Sequence, residues 1–128
     1  MQSITFITDW HKSDYYLGSL KGSIISHCEP APRFVDITHQ IEHYHYQEAA
    51  FVLRNSYHHF PEGTIHVNTV NNRNENPVPY IAANFDGHFF ISPDSGVINL
   101  LVREKTHKVV LMKPDNNYIP TFPELSYI

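Results

Sequence analysis

The run Ile4–Asp14, ITFITDWHKSD, constrains this chain more than any other stretch. The β-favouring residues Ile4–Ile7 stop at Thr8-Asp9, a polar bend follows, and an amphipathic segment opens at Tyr15. A short apolar run that gives way to helical periodicity is the opening of a β-α unit. In an open α/β sheet, ligands sit outside the carboxyl ends of the strands, where a strand hands over to its helix. Asp9 then stands on the rim of a pocket, where an acceptor-only carboxylate suits a vicinal diol such as a ribose edge. An isolated aspartate after a strand is most simply a turn or capping carboxylate. The motifs further along the chain decide between the two.

Tyr15–Cys28 sets Tyr16, Leu20, Ile24 and Cys28 on one stripe, with Leu17 and Ile25 beside it, which predicts a helix. Gly18 and Gly22 lower its propensity but would allow close approach to a strand or a ligand. Pro30 and Pro32 end it. Arg33–Thr38 forms a second strand, with Asp36 and His39 toward its far end. Gln40–Tyr46 is a polar-aromatic loop, Gln47–Tyr57 a second helix and Phe60–Thr64 a turn. Thr64–Val70 makes a third strand, and Asn71–Val78, without periodicity, an exposed loop. Pro79–Asn84, Asp86-Gly87 and His88–Ser92 predict a β-hairpin. A short helix, Val97–Arg103, follows with Asp94 or Ser95 as its cap, and Lys108–Met112 is a last strand. Asp115–Ile128, with Pro120 and Pro123, stays irregular. The order predicts an α/β domain, layered, with a mainly parallel central sheet and flanking helices. Its first three strands should be parallel neighbours joined by short crossovers.

A chain of 128 residues makes one domain, 1–128. The net charge of −4 and the lack of a basic stripe exclude a nucleic-acid partner. A single cysteine, Cys28, fits a reducing compartment. No apolar run approaches about 18 residues. The expectation is a soluble, cytoplasmic chain with no membrane partner. Ten histidines are many for this length. His39, His43, His45, His58, His59 and His66 make no zinc spacing, so structural or surface roles are expected and no metal. Asp36 and Glu48 suit caps or strand-end anchors, and Lys21 a packing or salt-bridge role.

The ordered series of motifs resembles the N-terminal domain of the S-adenosylmethionine (SAM) hydroxide adenosyltransferases, a group that also holds the SAM-dependent chlorinases and fluorinases. The resemblance rests on Thr8-Asp9 with Asp14, Gly18, Lys21 and Gly22, and on Val35-Asp36-Ile37-Thr38-His39. It continues through Glu48-Ala49-Ala50-Phe51 and Phe60-Pro61-Glu62-Gly63-Thr64-Ile65-His66-Val67. Asp86-Gly87, Phe89-Phe90 and Pro93-Asp94-Ser95-Gly96 complete it, so that most of residues 4–102 are covered. It implies a pocket for SAM or adenosine, as substrate or ligand rather than cofactor. Asp9 matches the carboxylate on the ribose hydroxyls, with Trp10 beside it, and Asp14 a position near the methionine ammonium. Tyr44 matches an aromatic against the nucleoside, and the Asp94–Ser95 turn would line the same cleft. In such enzymes water or a halide attacks the ribose 5′ carbon and methionine leaves. The sulfonium is a good leaving group, so the protein mainly aligns and desolvates the nucleophile.

The chain departs from the hydrolytic pattern where water is activated. Asn71 stands at the aspartate position and Asn72-Arg73-Asn74-Glu75 replaces the following loop. The arginine position falls near Val78 or Pro79, with Arg73 available from a shifted loop. Thr121–Ser126 resembles a decayed last motif with Pro123 where a histidine belongs. Asn71 cannot take a proton at neutral pH, and Pro123 supplies no titratable group. Two expectations result: a SAM- or adenosine-binding domain whose hydrolase chemistry is impaired, or a non-catalytic nucleoside-binding or oligomerisation module, or gene remnant. Family members continue into a second, β-rich domain, which this chain is expected to lack. Its uncovered surface, with Tyr118, Phe122, Leu125 and Tyr127, predicts a homo-oligomer.

Overall fold

The computed structural model describes residues 2–11, 15–73, 78–103 and 107–113. Strand β1 (Ser3–Ile7) leads to helix α1 (Tyr16–His27), β2 (Arg33–Thr38), α2 (Tyr46–Ser56) and β3 (Ile65–Asn68). The hairpin β4 (Tyr80–Phe85) and β5 (His88–Pro93) follows, then α3 (Val97–Val102) and β6 (Lys108–Leu111). They build a six-stranded sheet of order β2-β1-β3-β5-β4-β6. β1 pairs in parallel with β2 on one side and β3 on the other, as the short crossovers require. β5 continues the parallel set beyond β3, and β4 runs antiparallel between β5 and β6. The Asp86-Gly87 turn is left-handed at both residues, φ 54° and 80°, which is what a two-residue hairpin needs.

The helices divide between the faces. On one, α1 lays Leu20 and Ile24 over Ile4, Phe6 and Val67, with Trp10 closing the cluster. On the other, Ala49, Ala50 and Leu53 of α2 and Val97, Ile98 and Leu101 of α3 cover Ile7, Ala83 and Phe90. Phe6 and Phe90 are fully buried, each worth about 2–3 kcal/mol of hydrophobic stabilisation. β1 and β3 are buried on both sides, so the polar side chains on them, Thr5, His66 and Asn68, are buried too and have hydrogen-bond partners inside the protein. Lys21 of α1 joins helix to strand: its ammonium lies 2.9 Å from Asp36 and 5.7 Å from the Phe6 ring centre.

Four expectations are corrected. Helix α1 ends at His27, so Cys28 is extended and exposed, and Ile25 turns to solvent. The covered stripe is narrower because α1 crosses the sheet chiefly through Tyr16, Leu17, Leu20 and Ile24. Gly18 and Gly22 have no atom within 4 Å of where a Cβ would stand, so neither mediates a close approach. Neither Asp94 nor Ser95 caps α3. The capping position is Gly96, at φ 105°, where a side chain would meet the Tyr46 ring at 3.0 Å. A one-turn 3₁₀ helix, Tyr57–His59, also carries α2 on as far as the predicted turn, which begins at Phe60.

Candidate functional site

The chain passes from β1 to β2 on one side and then to β3 on the other, so the strand order reverses at β1. That reversal opens a crevice beyond the carboxyl ends of β1 and β3. Asp9 lies just past β1 and Asn71 just past β3, while Thr69 N–H donates to the Ile7 carbonyl at 3.1 Å and holds the two ends together. Asp9 is only 8% exposed. Its Oδ2 accepts the Tyr44 N–H at 3.2 Å and lies 3.6 Å from His43 Nδ1. It caps no helix. The bend that carries it is pinned to the end of β2: Thr8 Oγ1 and His39 Nδ1 are 2.7 Å apart, and His11 N–H donates to the His39 carbonyl at 2.9 Å.

The backbone is strained at this place. His11 and Tyr44 are left-handed, φ 56° and 62°, conformations that non-glycine residues adopt rarely and that gather at functional sites. Tyr44 presents its N–H to Asp9 from that conformation, and its ring is half-exposed with the Arg73 guanidinium 5.8 Å from its centre. The His11 and His43 rings stack at 5.2 Å beside the carboxylate. Thr69 Oγ1, at the same crevice, is buried without a partner among the described residues, an orphaned polar atom of the kind a ligand or water satisfies.

The sequence-predicted residues separate into two groups. Asp9, Tyr44 and Asn71 come to the crevice. Asn71 Oδ1 accepts the N–H of Asn72, whose own amide donates to the Ser95 carbonyl, so the loop after β3 is tied to the turn after β5. Trp10 turns into the core against Tyr16, their rings 5.6 Å apart and edge-on. Ser95 is buried with its hydroxyl committed to the Val70 carbonyl at 3.1 Å, whereas Asp94 is exposed. Asp14 and Pro123 lie outside the described residues, as do Tyr118, Phe122, Leu125 and Tyr127. His11 and His43 were not singled out for this site from the sequence. The only signal for them is the histidine-rich composition, which does not say where imidazoles gather.

Other histidines serve the scaffold. Burial alone would raise the Asp36 carboxyl, but Lys21 and His39 outweigh it and hold it below the usual range. Toward the amino end of the sheet, His66 Nδ1 lies 2.7 Å from Thr5 Oγ1 and its Nε2 lies 3.1 Å from His88 Nδ1. Burial, and then the neighbouring His88, push His66 down to about 4. Burial also lowers His88. Tyr57 donates to Asp86 at 2.9 Å, and burial with that carboxylate pushes its phenol up to about 12. Among the described residues no three His, Cys, Asp or Glu side chains are placed to hold a metal.

A carboxylate at the switch point, an aromatic beside it and the motif series around them agree with a family model, the SAM hydroxide adenosyltransferase N-terminal domain, matching residues 4–126. The chain belongs to that family. It is 22% identical over 122 residues to the (R)-S-adenosyl-L-methionine hydrolase of Methanocaldococcus jannaschii, covering 92% of this chain and 46% of that protein. An uncharacterized conserved protein from Thermotoga maritima shares the fold at a TM-score of 0.81 and 23% identity, over 98% of this chain and 50% of its own. A conserved hypothetical protein from Thermus thermophilus does so at 0.77 and 22%, over 91% and 49%. The chain thus spans about half the length of these relatives. The family match runs past the described residues into Thr121–Ser126. No described helix is long and apolar enough to cross a membrane.

Proposed function

We propose that this domain binds the adenosyl part of SAM, or adenosine, in the crevice between β1 and β3, and that its hydrolase chemistry is impaired. The observation that carries the binding half is Asp9: a nearly buried carboxylate beyond the central strand, held by one backbone N–H and capping nothing. Two carboxylate oxygens offer about four acceptor positions, and the described residues use one of them for a hydrogen bond. The remainder suits the two hydroxyls of a ribose. Tyr44, half-exposed beside Asp9, offers a ring face to the base.

The impaired half rests on Asn71. Hydrolysis of SAM joins a water oxygen to C5′, breaks the C5′–sulfur bond, and releases methionine, adenosine and a proton. Asn71 cannot accept that proton. Its Oδ1 is moreover engaged by the Asn72 N–H. A group that works as a set loses nearly all its effect when one member is missing. Self-association is proposed alongside, through β6, the outer strand of the described sheet, whose residues Lys108–Leu111 are all exposed. Sedimentation showing a monodisperse monomer at high micromolar concentration would count against it.

Titration calorimetry with adenosine and with SAM tests binding, and chromatography of the SAM incubation tests turnover. The expected result is weak binding of both ligands with no adenosine or methionine above background. Failure of both ligands to bind would end the proposal. Robust adenosine release would overturn its second half, and Arg73 and His43 would become the first candidates for the missing groups.

A further inference from the structure

Strand β6 is the outer edge of the described sheet, and its pairing shows which of its backbone groups are turned outward. Met112 N–H donates to the Tyr80 carbonyl at 2.9 Å, in the register that sets Val110 opposite Ala82 and Lys108 opposite Asn84. In an antiparallel ladder, hydrogen-bonded pairs alternate with pairs whose backbone groups face away. Lys108, Val110 and Met112 therefore direct their backbone groups to β4, and Val109 and Leu111 direct theirs off the edge. The side chains of this edge are apolar on both faces of the sheet. Val110 stands with Ala82 and Ile91 in an apolar groove of about 500 Å³ on the α1 side. Val109 and Leu111 stand on the other side, opposite Ala83 and Ile81. Val109, Val110 and Leu111 are 43%, 62% and 66% exposed. Edge strands are commonly guarded by a proline, a bulge or a charge, and none interrupts Val109–Leu111.

We propose that β6 pairs antiparallel with β6 of a second copy about a twofold axis at Val110, joining two sheets into one. This rests on the self-association through β6 put forward above and fixes its register. A twofold axis makes the contact isologous, so the strand must complement itself. Outward-facing residues bond only to outward-facing ones, which leaves three registers for Val109 and Leu111. Val109 against Val109 sets Lys108 on Val110 of the second copy, and Leu111 against Leu111 sets Val109 on Lys113. Val109 against Leu111 alone matches the apolar trio wholly to itself, with Val110 facing Val110 at the axis. It also holds the two Lys108 ammonium groups at opposite ends of the contact, each beside Met112 of the other copy. On the α1 side the apolar strips Ile91-Ala82-Val110 of the two copies then run on into one another across the axis. A contact confined to one strand per copy falls short of the about 800 Å² per partner of a standard interface, so dissociation in the micromolar range is expected.

Sedimentation of the full chain should show a dimer that dissociates on dilution. Val109→Pro removes an N–H that faces off the edge and leaves the β4 ladder whole; it should raise the dissociation constant at least tenfold with the circular dichroism unchanged. The register is read by oxidation with glutathione disulfide, in the chain with exposed Cys28 changed to serine. Val110→Cys places two thiols across a pair whose Cα atoms stand about 4.5 Å apart, within reach of a disulfide. Val109→Cys sets its thiols on a diagonal of about 7–8 Å, so Val110→Cys should cross-link at least tenfold faster. A monomer at high micromolar concentration would end both this proposal and the self-association it rests on. A dimer indifferent to Val109→Pro would put the contact elsewhere and overturn the proposal while self-association stands. Cross-linking no faster for Val110→Cys than for Val109→Cys would overturn the register, and it also decides if Val109→Pro fails to fold.

Discussion

Asp9 illustrates how one residue acquires a role from its position rather than its type. After any strand an aspartate finds turn amides to bond; here it stands where the strand order reverses and takes a single N–H, from Tyr44 across the crevice. Removing its charge while keeping its shape is therefore informative. Asp9→Asn should weaken adenosine binding about tenfold or more, since hydrogen bonds to a charged acceptor contribute roughly 1.5–3 kcal/mol. Unchanged affinity by calorimetry would remove Asp9 from the site. Asn71→Asp, by contrast, should restore no turnover, because it returns one member of a set whose arginine and histidine positions remain unfilled. Chromatographic detection of adenosine from that variant would show that Arg73 or a nearby imidazole completes the set.

At the scale of elements, the periodicity in the chain was enough to place every described strand and α-helix, and to make β1, β2 and β3 parallel neighbours. Buried strands and amphipathic helices arise directly from apolar spacing. What spacing cannot carry is the direction of polar side chains once tertiary neighbours compete for them. Ser95, suited to a cap, bonds Val70 instead, and Trp10, adjacent to a site residue, faces the core. His66 and His88 are 22 residues apart and meet only because β3 pairs with β5. The crevice was likewise legible through Asp9, Tyr44 and Asn71, whereas the stacked His11 and His43 depend on two left-handed residues that no local pattern signals. The Asp86-Gly87 turn was legible and is testable. Gly87→Ala places a Cβ at φ 80° and 3.0 Å from the Glu62 side chain. The flexible Glu62 can yield, so backbone strain dominates, and the variant should lose about 1–2 kcal/mol in urea denaturation. No measurable loss would mean that the hairpin relaxes into another turn.

For the whole molecule, the histidines at the amino end of the sheet set a pH limit. His66 is 1% exposed between β1 and β5, with Thr5 on one ring nitrogen and His88 on the other. From the facing elements, Tyr57 lies edge-on to both rings and donates to Asp86, while Asp86 and Glu62 favour a charge on His88 and His58 opposes it. Neutral, the two imidazoles can share one proton along their contact; charged together, both would point N–H groups at each other. The unfolded chain releases the His66 proton near its ordinary 6.5, and the folded chain only near 4. Between those values the unfolded state holds more protons, so stability rises with pH. The contribution is fully present above pH 6.5, falls progressively on acidification, and is exhausted below about 4. Its size is on the order of 3 kcal/mol, a large share of a small domain's stability. Urea denaturation at pH 7.5, 6.0 and 5.0 should show the midpoint falling with pH, and the His66 ring protons should not titrate by nuclear magnetic resonance above pH 5. A midpoint that stays constant to pH 5, or a His66 ring that titrates near 6.5, would mean that this buried pair does not limit the fold.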